Sequence, residues 1–323
     1  MAAAPKIFAS LADPTRLRIL MLLRAMELSV GEIAQVLGQS QPRVSRHVKI
    51  LIDAGLAERR KEGSWVFVSL GERARLEPLF QLLDRWSEID GDTSTTAADA
   101  DRLAAVRADR AAAAERYFAG HAEEWDALRS LHVAETEVEA AIGRALGGRS
   151  GGPESIGRLI DIGTGTGRMI ELFGPAATQS LGIDRSPEML RLARVKLADA
   201  GIAAVELRQG DMYALPLPSG SAETVIIHQV LHFAQNPAAA VSEAARLLNP
   251  GGRLLIVDFA PHERETLRVT DAHARLGFAD ETVLKYLEEA GLEGCVVEHL
   301  EGGELTVTLW LGIQPQAKLK VVA

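Results

Sequence analysis

The feature that most constrains the fold is the segment 159–168, which reads Leu-Ile-Asp-Ile-Gly-Thr-Gly-Thr-Gly-Arg. An apolar strand runs into a glycine turn, and a helix follows the turn. Glycine lets the backbone approach a bound nucleotide closely, and the N-terminus of a helix favours nearby negative charge. The segment therefore predicts an α/β domain that binds a nucleotide-like ligand at the carboxyl edge of its sheet.

NAD-binding folds begin in a similar way, but two observations favour a different ligand. The dinucleotide pattern G-x-G-x-x-G would require glycine at the position of Arg168. A further acidic residue, Asp211, follows a later strand in the segment 208–212, Arg-Gln-Gly-Asp-Met. A strand-end carboxylate at this place adds an acceptor that the dinucleotide motif does not include.

The order of these blocks resembles that of class I S-adenosylmethionine-dependent methyltransferases over residues 115–313. The resemblance implies an α/β Rossmann-like sheet of seven strands with one antiparallel strand, for which 304–311 is the candidate. It also implies S-adenosylmethionine, or S-adenosylhomocysteine, as the bound cofactor. The segment 117–125 is similar to the lid helix that precedes the glycine turn in such enzymes.

The resemblance also implies roles for particular side chains. Asp161 suits the amino group of the methionine part, and Asp184 can accept from both ribose hydroxyls. Asp211 can accept from the adenine amino group, with Met189 and Met212 against the ring. The predicted cofactor-binding residues are Asp161, Gly163, Gly165, Gly167, Asp184, Met189, Asp211, Met212 and His228.

Four histidines cluster near the predicted strand ends: His228, His232, His262 and His273. Methyl transfer requires the nucleophile to be oriented against the sulfonium, and sometimes requires a base. His228 and His262 are the best placed and are the candidate catalytic residues, although a histidine here can equally serve as a hydrogen-bond donor. The segment 273–278 is similar to methyltransferases that act on quinones and small molecules, and it does not identify the acceptor.

The first ninety residues carry a second set of clear signals. Asp13 and Pro14 predict the start of a helix that runs through Arg24, and the sequence Ser-Val-Gly-Glu at 29–32 fits a capping box. A tight turn at 38–40 leads to a third helix that ends near Gly55. A short helix, a tight turn and a polar-faced helix are the geometry of a helix-turn-helix.

The third helix and the two strands after it predict a DNA-binding surface. Within residues 40–61 the chain has six basic and two acidic side chains, and the strand pair at 57–61 and 64–70 can lie along the DNA backbone as a wing. A final helix with Leu76, Leu79, Phe80 and Leu83 suits dimer packing. The predicted DNA-binding residues are Gln41, Arg43, Ser45, Arg46, Lys49, Arg60 and Lys61.

Residues 5–90 closely resemble ArsR/SmtB-type winged-helix regulators, an α+β fold. The resemblance implies a homodimer that binds a palindromic operator in double-stranded DNA. Many members sense metals through a cysteine pair, where this chain has Leu28, Ser29 and Val30, and others use Asp/His sets on the last helix, where Asp84 stands without a histidine nearby. We therefore predict no metal site.

The length of 323 residues agrees with two domains. A polar linker at 91–96 and a glycine-rich loop at 147–153 give the boundaries: 1–90 for DNA binding and dimerisation, 91–150 for linker and coupling or lid helices, and 151–315 for cofactor binding. Cys295 is the only cysteine, which favours a cytoplasmic protein and excludes arsenic methylation. Neither a signal peptide nor a membrane span is predicted.

Two functional hypotheses remain open. In the first hypothesis, the second domain is a sensor that reports S-adenosylmethionine or S-adenosylhomocysteine to the DNA-binding domain, as in regulators of methionine-cycle genes. Alternatively, it is an active small-molecule methyltransferase whose fused repressor controls its own expression.

Overall fold

The computed structural model describes residues 4–62, 65–71, 73–90, 97–106, 108–109, 120, 135–147, 156–202, 205–301 and 303–316. The chain divides into two compact units, Met1–Ala112 and Ala113–Ala323. The predicted lid helix at 117–125 lies outside the described residues apart from Gly120, as does most of the predicted coupling stretch.

The first unit is mainly helical, with a small sheet. Its elements are α1 (Ala4–Leu11), α2 (Pro14–Ala25), β1 (Leu28–Ser29), α3 (Val30–Leu37), α4 (Gln41–Asp53), β2 (Ala57–Glu62), β3 (Trp65–Leu70) and α5 (Arg73–Asp90). A further helical segment covers residues 97–106.

The helix starts follow the local chemistry of the sequence. The carboxylate of Asp13 accepts hydrogen bonds from the backbone N–H groups of Thr15 and Arg16. Ser29 and Glu32 form the reciprocal capping box, in which each side chain accepts from the other residue's backbone N–H. Ser40 precedes α4 as predicted, but its side chain makes no capping hydrogen bond.

The wing has three strands, in the order β1-β3-β2, rather than the two that the sequence predicts. Strands β2 and β3 pair antiparallel from Ala57 opposite Leu70 to Glu62 opposite Trp65. Strand β1 covers only two residues and pairs with β3. A pairing so short carries no alternating pattern, which explains why the sequence did not predict it.

The apolar stripe of α5 serves the core of the first unit. Leu76 and Phe80 are buried in that core, and Leu79 and Leu83 pack against it. The sequence assigned this stripe to dimer packing, but in the structure it belongs to the core of its own unit. Leu103 and Val106 of the segment 97–106 belong to the same core.

The second unit is a seven-stranded sheet with helices. Its elements are α6 (Glu135–Leu146), β4 (Gly157–Ile162), α7 (Arg168–Phe173), β5 (Ala177–Asp184), α8 (Pro187–Asp199), β6 (Val205–Gln209), β7 (Ala222–His228), α9 (Pro237–Leu247), β8 (Leu248–Phe259), α10 (Thr266–Thr270), α11 (Asp280–Glu289), β9 (Glu293–Leu300) and β10 (Val307–Ile313). Short 3-10 turns occupy Gly174–Ala176 and Leu231–Phe233.

The strand order is β6-β5-β4-β7-β8-β10-β9. The five strands β6, β5, β4, β7 and β8 pair parallel in this order, while β10 is antiparallel to both β8 and β9. The antiparallel strand is Val307–Ile313, close to the predicted 304–311. This arrangement confirms the predicted fold class of the second unit.

Alternate residues of the central strands point to opposite faces of the sheet, as strand geometry requires. Ile160, Ile162 and Ile227 belong to the apolar cluster on one face. Leu159 and Ile226 belong to the cluster on the other face, which includes the buried residues of α6. Both faces of the central strands are therefore covered, as is typical of parallel sheets.

Among the helices that the structure describes, none has the length and apolar character needed to cross a bilayer. The same described residues include no cluster of three or more His, Cys, Asp or Glu side chains suited to a metal ion.

Candidate functional site

The carboxyl ends of four adjacent strands form one edge of the sheet. Ile162 of β4 lies opposite Ile183 of β5 and Ile227 of β7. On the next pair, His228 of β7 lies opposite Val257 of β8. Each of these strands has a polar side chain near its carboxyl end: Asp184 and His228 lie at one level, Asp161 lies two residues before it, and Asp258 lies one residue beyond it.

The glycine turn after β4 has a backbone that only glycine adopts easily. Gly163, Gly165 and Gly167 have φ angles of 74°, 51° and 85°. A Cβ atom on Gly163 would lie 2.4 Å from a methyl carbon of Val230, so this turn also packs tightly against the segment that follows β7. Glycine is required here for conformation and for close approach.

Asp184 lies at the end of β5, as predicted, and is held by the backbone around it. One carboxylate oxygen accepts from the N–H of Gly165 at 2.8 Å, and the other accepts from the N–H of Ser186 at 2.8 Å. Burial raises the pKa of Asp184, and the backbone hydrogen bonds oppose that shift. The carboxylate is thus held between the glycine turn that follows β4 and the residue that precedes α8.

Asp161 is almost fully buried at the end of β4. Its Oδ2 accepts from the hydroxyl of Thr164 at 2.6 Å, which ties the strand end to the glycine turn. The sequence predicted Asp161 as a ligand to an amino group and did not identify Thr164 as its partner.

The predicted adenine-binding residues differ in exposure. Asp211 is exposed, two residues past the end of β6, and accepts from the N–H of Tyr213. Met212 is partly buried against the apolar cluster of one sheet face. Met189 is only 1% exposed, so contact between Met189 and an adenine ring would require its neighbours to move.

Arg168 occupies the position at which the dinucleotide-binding pattern requires glycine, and in this structure it has a structural role. Its guanidinium binds Glu139 of α6 through two hydrogen bonds of 2.6 and 2.9 Å and also binds Glu171. The hydrogen bonds to these carboxylates raise the pKa of Arg168 above its usual range. The ion pairs fasten α6 to the start of α7.

His228 is buried at the end of β7, and Gln229 beside it has a φ of 51°. Positive φ is uncommon in residues other than glycine and clusters at functional sites. His262 is partly buried on the loop after β8, and its backbone N–H donates to Leu276. Of the two histidines predicted as catalytic, His228 therefore ends β7, and His262 lies on the loop that follows the adjacent strand β8.

A third histidine has the most defined geometry of the four. Nδ1 of His232 lies 2.8 Å from Oδ1 of Asp258, and the backbone N–H of His232 donates to Oδ2 at 3.1 Å. The side chains of His232 and Asp258 are 3% and 0% exposed. Sequence reasoning included His232 only in the cluster and missed Asp258, although a lone aspartate in the apolar strand 254–259 was a signal.

In the first unit, α4 presents the predicted polar face to solvent. Val44, Val48 and Leu51 are buried. The exposed predicted residues of α4 are Gln41, Arg43, Ser45, Arg46 and Lys49.

The two predicted wing residues differ from each other. Lys61 of β2 is exposed. Arg60 binds the carboxylate of Glu27 at 3.1 Å, and its guanidinium lies 5.8 Å from the ring centre of Phe67. Arg60 therefore stabilises the unit's own fold in this structure, and a DNA contact would have to compete with these interactions.

Comparison with known families agrees with the two-unit organisation. Residues 13–59 match the model of the bacterial regulatory protein arsR family, and residues 160–256 match a methyltransferase domain model. The chain thus carries an ArsR-family helix-turn-helix followed by a methyltransferase domain.

Curated relatives resemble parts of the chain. An uncharacterized methyltransferase of Bacillus subtilis is 33% identical over 33% of this chain and 42% of its own length. The phosphatidylethanolamine N-methyltransferase of Cereibacter sphaeroides is 34% identical over 36% of this chain and 57% of its own. The chain spans about half the length of the first curated relatives it matches.

Solved structures support the fold of the second domain. An S-adenosylmethionine-dependent methyltransferase from Thermotoga maritima has a TM-score of 0.50 and 22% identity, covering 62% of this chain and 99% of that protein. The methyltransferase complexed with the Haloferax volcanii Trm112 activator has a TM-score of 0.51 and 19% identity, covering 63% and 98%. At these identities the similarity concerns the fold alone.

Proposed function

We propose that this chain is a DNA-binding transcriptional regulator whose second unit binds S-adenosylmethionine or S-adenosylhomocysteine, and that the bound ligand controls operator binding. The observation that carries the proposal is the fixed carboxylate of Asp184 beside the glycine turn. A ribose presents two adjacent hydroxyl donors, and this carboxylate is the acceptor that suits them.

The acceptor capacity of Asp184 supports this assignment. Each oxygen of a carboxylate has two lone-pair positions. The backbone N–H groups of Gly165 and Ser186 each occupy one position, on different oxygens, and the N–H of Arg185 also donates to this carboxylate. The acceptor capacity that remains suits a ribose hydroxyl, and the positive-φ glycines leave room for the rest of the nucleoside.

The DNA-binding role rests on the ArsR-type match and on α4. A helix that buries its apolar face and exposes glutamine, serine and basic side chains can enter the major groove. We further propose that the protein acts as a homodimer, with exposed Leu82 and Trp86 of α5 at the contact, and that it works in the cytoplasm. A two-fold axis would let two copies of α4 read a palindromic operator.

Control by the ligand requires different affinities for the DNA-competent and DNA-incompetent states, because equal affinity shifts no equilibrium. We propose that the controlled genes belong to the methionine and S-adenosylmethionine cycle, since the ratio of the two ligands reports the state of that cycle. The signal then comes from the second unit, in place of the metal sites of related regulators.

The test is calorimetry with each nucleoside, followed by binding of the DNA upstream of the chain's own gene with and without each ligand. D184A should lose ligand binding and the ligand response while keeping basal DNA binding. D199A, at the exposed end of α8, is the matched carboxylate control and should behave as the native protein does. Unchanged DNA affinity with both ligands would refute ligand control.

A second candidate function is methyl transfer to a small molecule, with the fused repressor controlling expression. The observation that favours it is the buried pair of His232 and Asp258 at the same sheet edge as Asp161 and Asp184. Relatives include a ubiquinone/menaquinone biosynthesis C-methyltransferase of Stutzerimonas stutzeri, 29% identical over 49% of this chain and 73% of its own. Labelled S-adenosylmethionine and candidate acceptors test it directly.

A further inference from the structure

We propose that His232 accepts the proton of the methyl acceptor, that Asp258 is its positioning residue, and that the acceptor is a planar aromatic compound with a hydroxyl group. The inference rests on the second candidate function, methyl transfer, and deepens it by naming the base and the substrate class.

The geometry of the pair fixes the ring of His232. Asp258 accepts from the backbone N–H of His232 and lies 2.8 Å from its Nδ1, while the N–H of Phe259 donates to the same carboxylate at 2.7 Å. A carboxylate only accepts hydrogen bonds, so Nδ1 carries the proton in the neutral ring. Nε2 then has the lone pair that a proton acceptor requires.

The position of the pair suits chemistry at the bound cofactor. Asp258 is on β8, two strands from β4 in the sheet, and adjacent strands lie about 4.8 Å apart. The ends of β4 and β8 are therefore roughly 10 Å apart, so His232 lies close to the glycine turn that would hold the cofactor. Val230, two residues before His232, contacts the glycine turn at Gly163.

The surroundings of His232 point to a flat acceptor. Ring centres of Phe233, His273 and Phe259 lie 4.0, 4.2 and 5.0 Å from the ring centre of His232. His262 lies 6.4 Å from His273 and extends this group of rings. Aromatic side chains pack favourably against other planar rings, so a planar acceptor would gain more from contact with this group of rings than an aliphatic acceptor would.

The charged and titratable groups that face His232 come from several segments. Asp258 belongs to β8, and His262 and His273 belong to the loops that follow it. The backbone N–H of the buried Arg275 donates to the carbonyl of His232. Among the described residues, the carboxylate of Asp258 is the charged group that contacts the ring of His232.

In the proposed step the methyl group moves from sulfur to oxygen. A lone pair on the acceptor oxygen forms the O–CH3 bond while the S–CH3 bond of the sulfonium breaks and its electron pair returns to sulfur. The hydroxyl proton moves to Nε2 of His232. The products are a methyl ether and S-adenosylhomocysteine, and the imidazolium of His232 then releases its proton to water.

The experiment compares acceptors of different acidity in the full-length protein. H232A and D258N are assayed with a naphthohydroquinone, with phenol and with a nitrophenol that is already ionised at the assay pH. H232A should lower the rate with un-ionised acceptors about 10²- to 10⁴-fold. With the nitrophenolate the loss should be only a few-fold, because no proton has to leave the acceptor.

Three controls separate a chemical role from a structural one. Affinity for S-adenosylmethionine, measured by calorimetry, should be unchanged in H232A and D258N. Added imidazole should restore part of the rate in H232A, since the substitution leaves space for it. His299 also pairs with a carboxylate, that of Asp280 at 3.0 Å, but it is exposed on β9, and H299A should keep the native rate.

A rate loss that is equal for phenols and nitrophenolate would overturn the role of His232 as proton acceptor and leave a structural role. Cofactor binding without transfer to any of these acceptors in the native protein would overturn both methyl transfer and the role of His232, while leaving the cofactor site in place. Failure to bind the cofactor would refute the proposed function itself.

Discussion

Arg18 and Asp99, which are 81 residues apart in the sequence, form a bidentate ion pair inside the first unit. The guanidinium of Arg18 donates to the two carboxylate oxygens of Asp99 at 2.6 and 2.7 Å, and Asp99 is nearly buried. Arg102 also binds this carboxylate and donates to the carbonyl of Val36 near the end of α3. The segment 97–106 is therefore attached to the helix-turn-helix by charge as well as by apolar packing.

Replacing Asp99 with asparagine should destabilise the first unit by about 2–4 kcal/mol, because Arg18 loses the partner of a largely buried charge. Hydrogen exchange of α2 and α3 in the full-length protein measures this loss. The matched control is D84N, since Asp84 forms a similar two-pronged pair with Arg24 but is exposed. Equal protection in D99N and D84N would show that burial of the pair contributes nothing.

The contribution of Asp99 to the unfolding free energy of the first unit should depend on pH. Burial alone would raise its pKa, but the hydrogen bonds from Arg18 and Arg102 outweigh burial and lower the pKa from 3.8. The stabilisation is therefore present above pH 3.8 and is lost as the pH falls through the lower folded value. The difference in unfolding free energy between the native protein and D99N should shrink over that acid range, as urea titrations at several pH values would show.

Asp184 should give the opposite pH response. Burial raises its pKa, so protonation is easier in the folded chain than in the unfolded one. Protonation of Asp184 therefore favours the folded, ligand-free protein. This stabilisation is fully present below pH 3.8 and is lost as the pH rises through the raised pKa of the folded state. Because ribose hydroxyls donate to the ionised carboxylate, affinity for S-adenosylmethionine should instead fall as the pH decreases through that value. Calorimetry should show no such pH dependence in D184N.

The glycine turn allows a matched pair of substitutions. Gly163 and Gly201 have nearly equal φ angles of 74° and 73°, but a Cβ on Gly201 meets no atom within 4 Å. G201A should cost about 1 kcal/mol from backbone strain alone. G163A should cost about 2–4 kcal/mol, since the contact with Val230 adds overpacking. V230A should recover part of that loss, and thermal unfolding of the single and double variants measures it.

Arg46 of α4 should contribute to operator binding. R46A should weaken binding by about 1–3 kcal/mol if Arg46 contacts a base edge. If it contacts a phosphate, the slope of log K against log salt should fall by about 1. R194A, which removes an exposed arginine from α8, is the control, and both variants should bind S-adenosylmethionine with native affinity.

Signals carried by neighbouring residues were readable from the sequence. The cap at Asp13, the capping box at Ser29 and Glu32, and the strand–glycine turn–helix after β4 depend on residues within a few positions. Local chemistry determines such features, and the structure places them within one or two residues of the expected positions. The resemblance to the two known domain types rests on motifs of this local kind.

Features that depend on contacts between distant segments were not readable. Asp258 becomes a partner of His232 only because β8 lies beside β7, and the sequence separates the two residues by 26 positions. The apolar stripe of α5 predicted an interface, but the sequence could not show that Leu76 and Phe80 face their own domain. Arg60 had the charge of a DNA-binding residue, while its contact with Glu27 depends on the pairing of β1 and β2 with β3.

The clamp between Arg168 and Glu139 has a practical consequence for anyone who wishes to excise the second domain. The family match begins at residue 160, but α6 begins at Glu135 and covers Leu255 and Val257 on one sheet face. A recombinant fragment that starts at 160 would expose this apolar face and leave Arg168 without Glu139. Such a fragment should aggregate, whereas one that starts before residue 135 should remain dispersed.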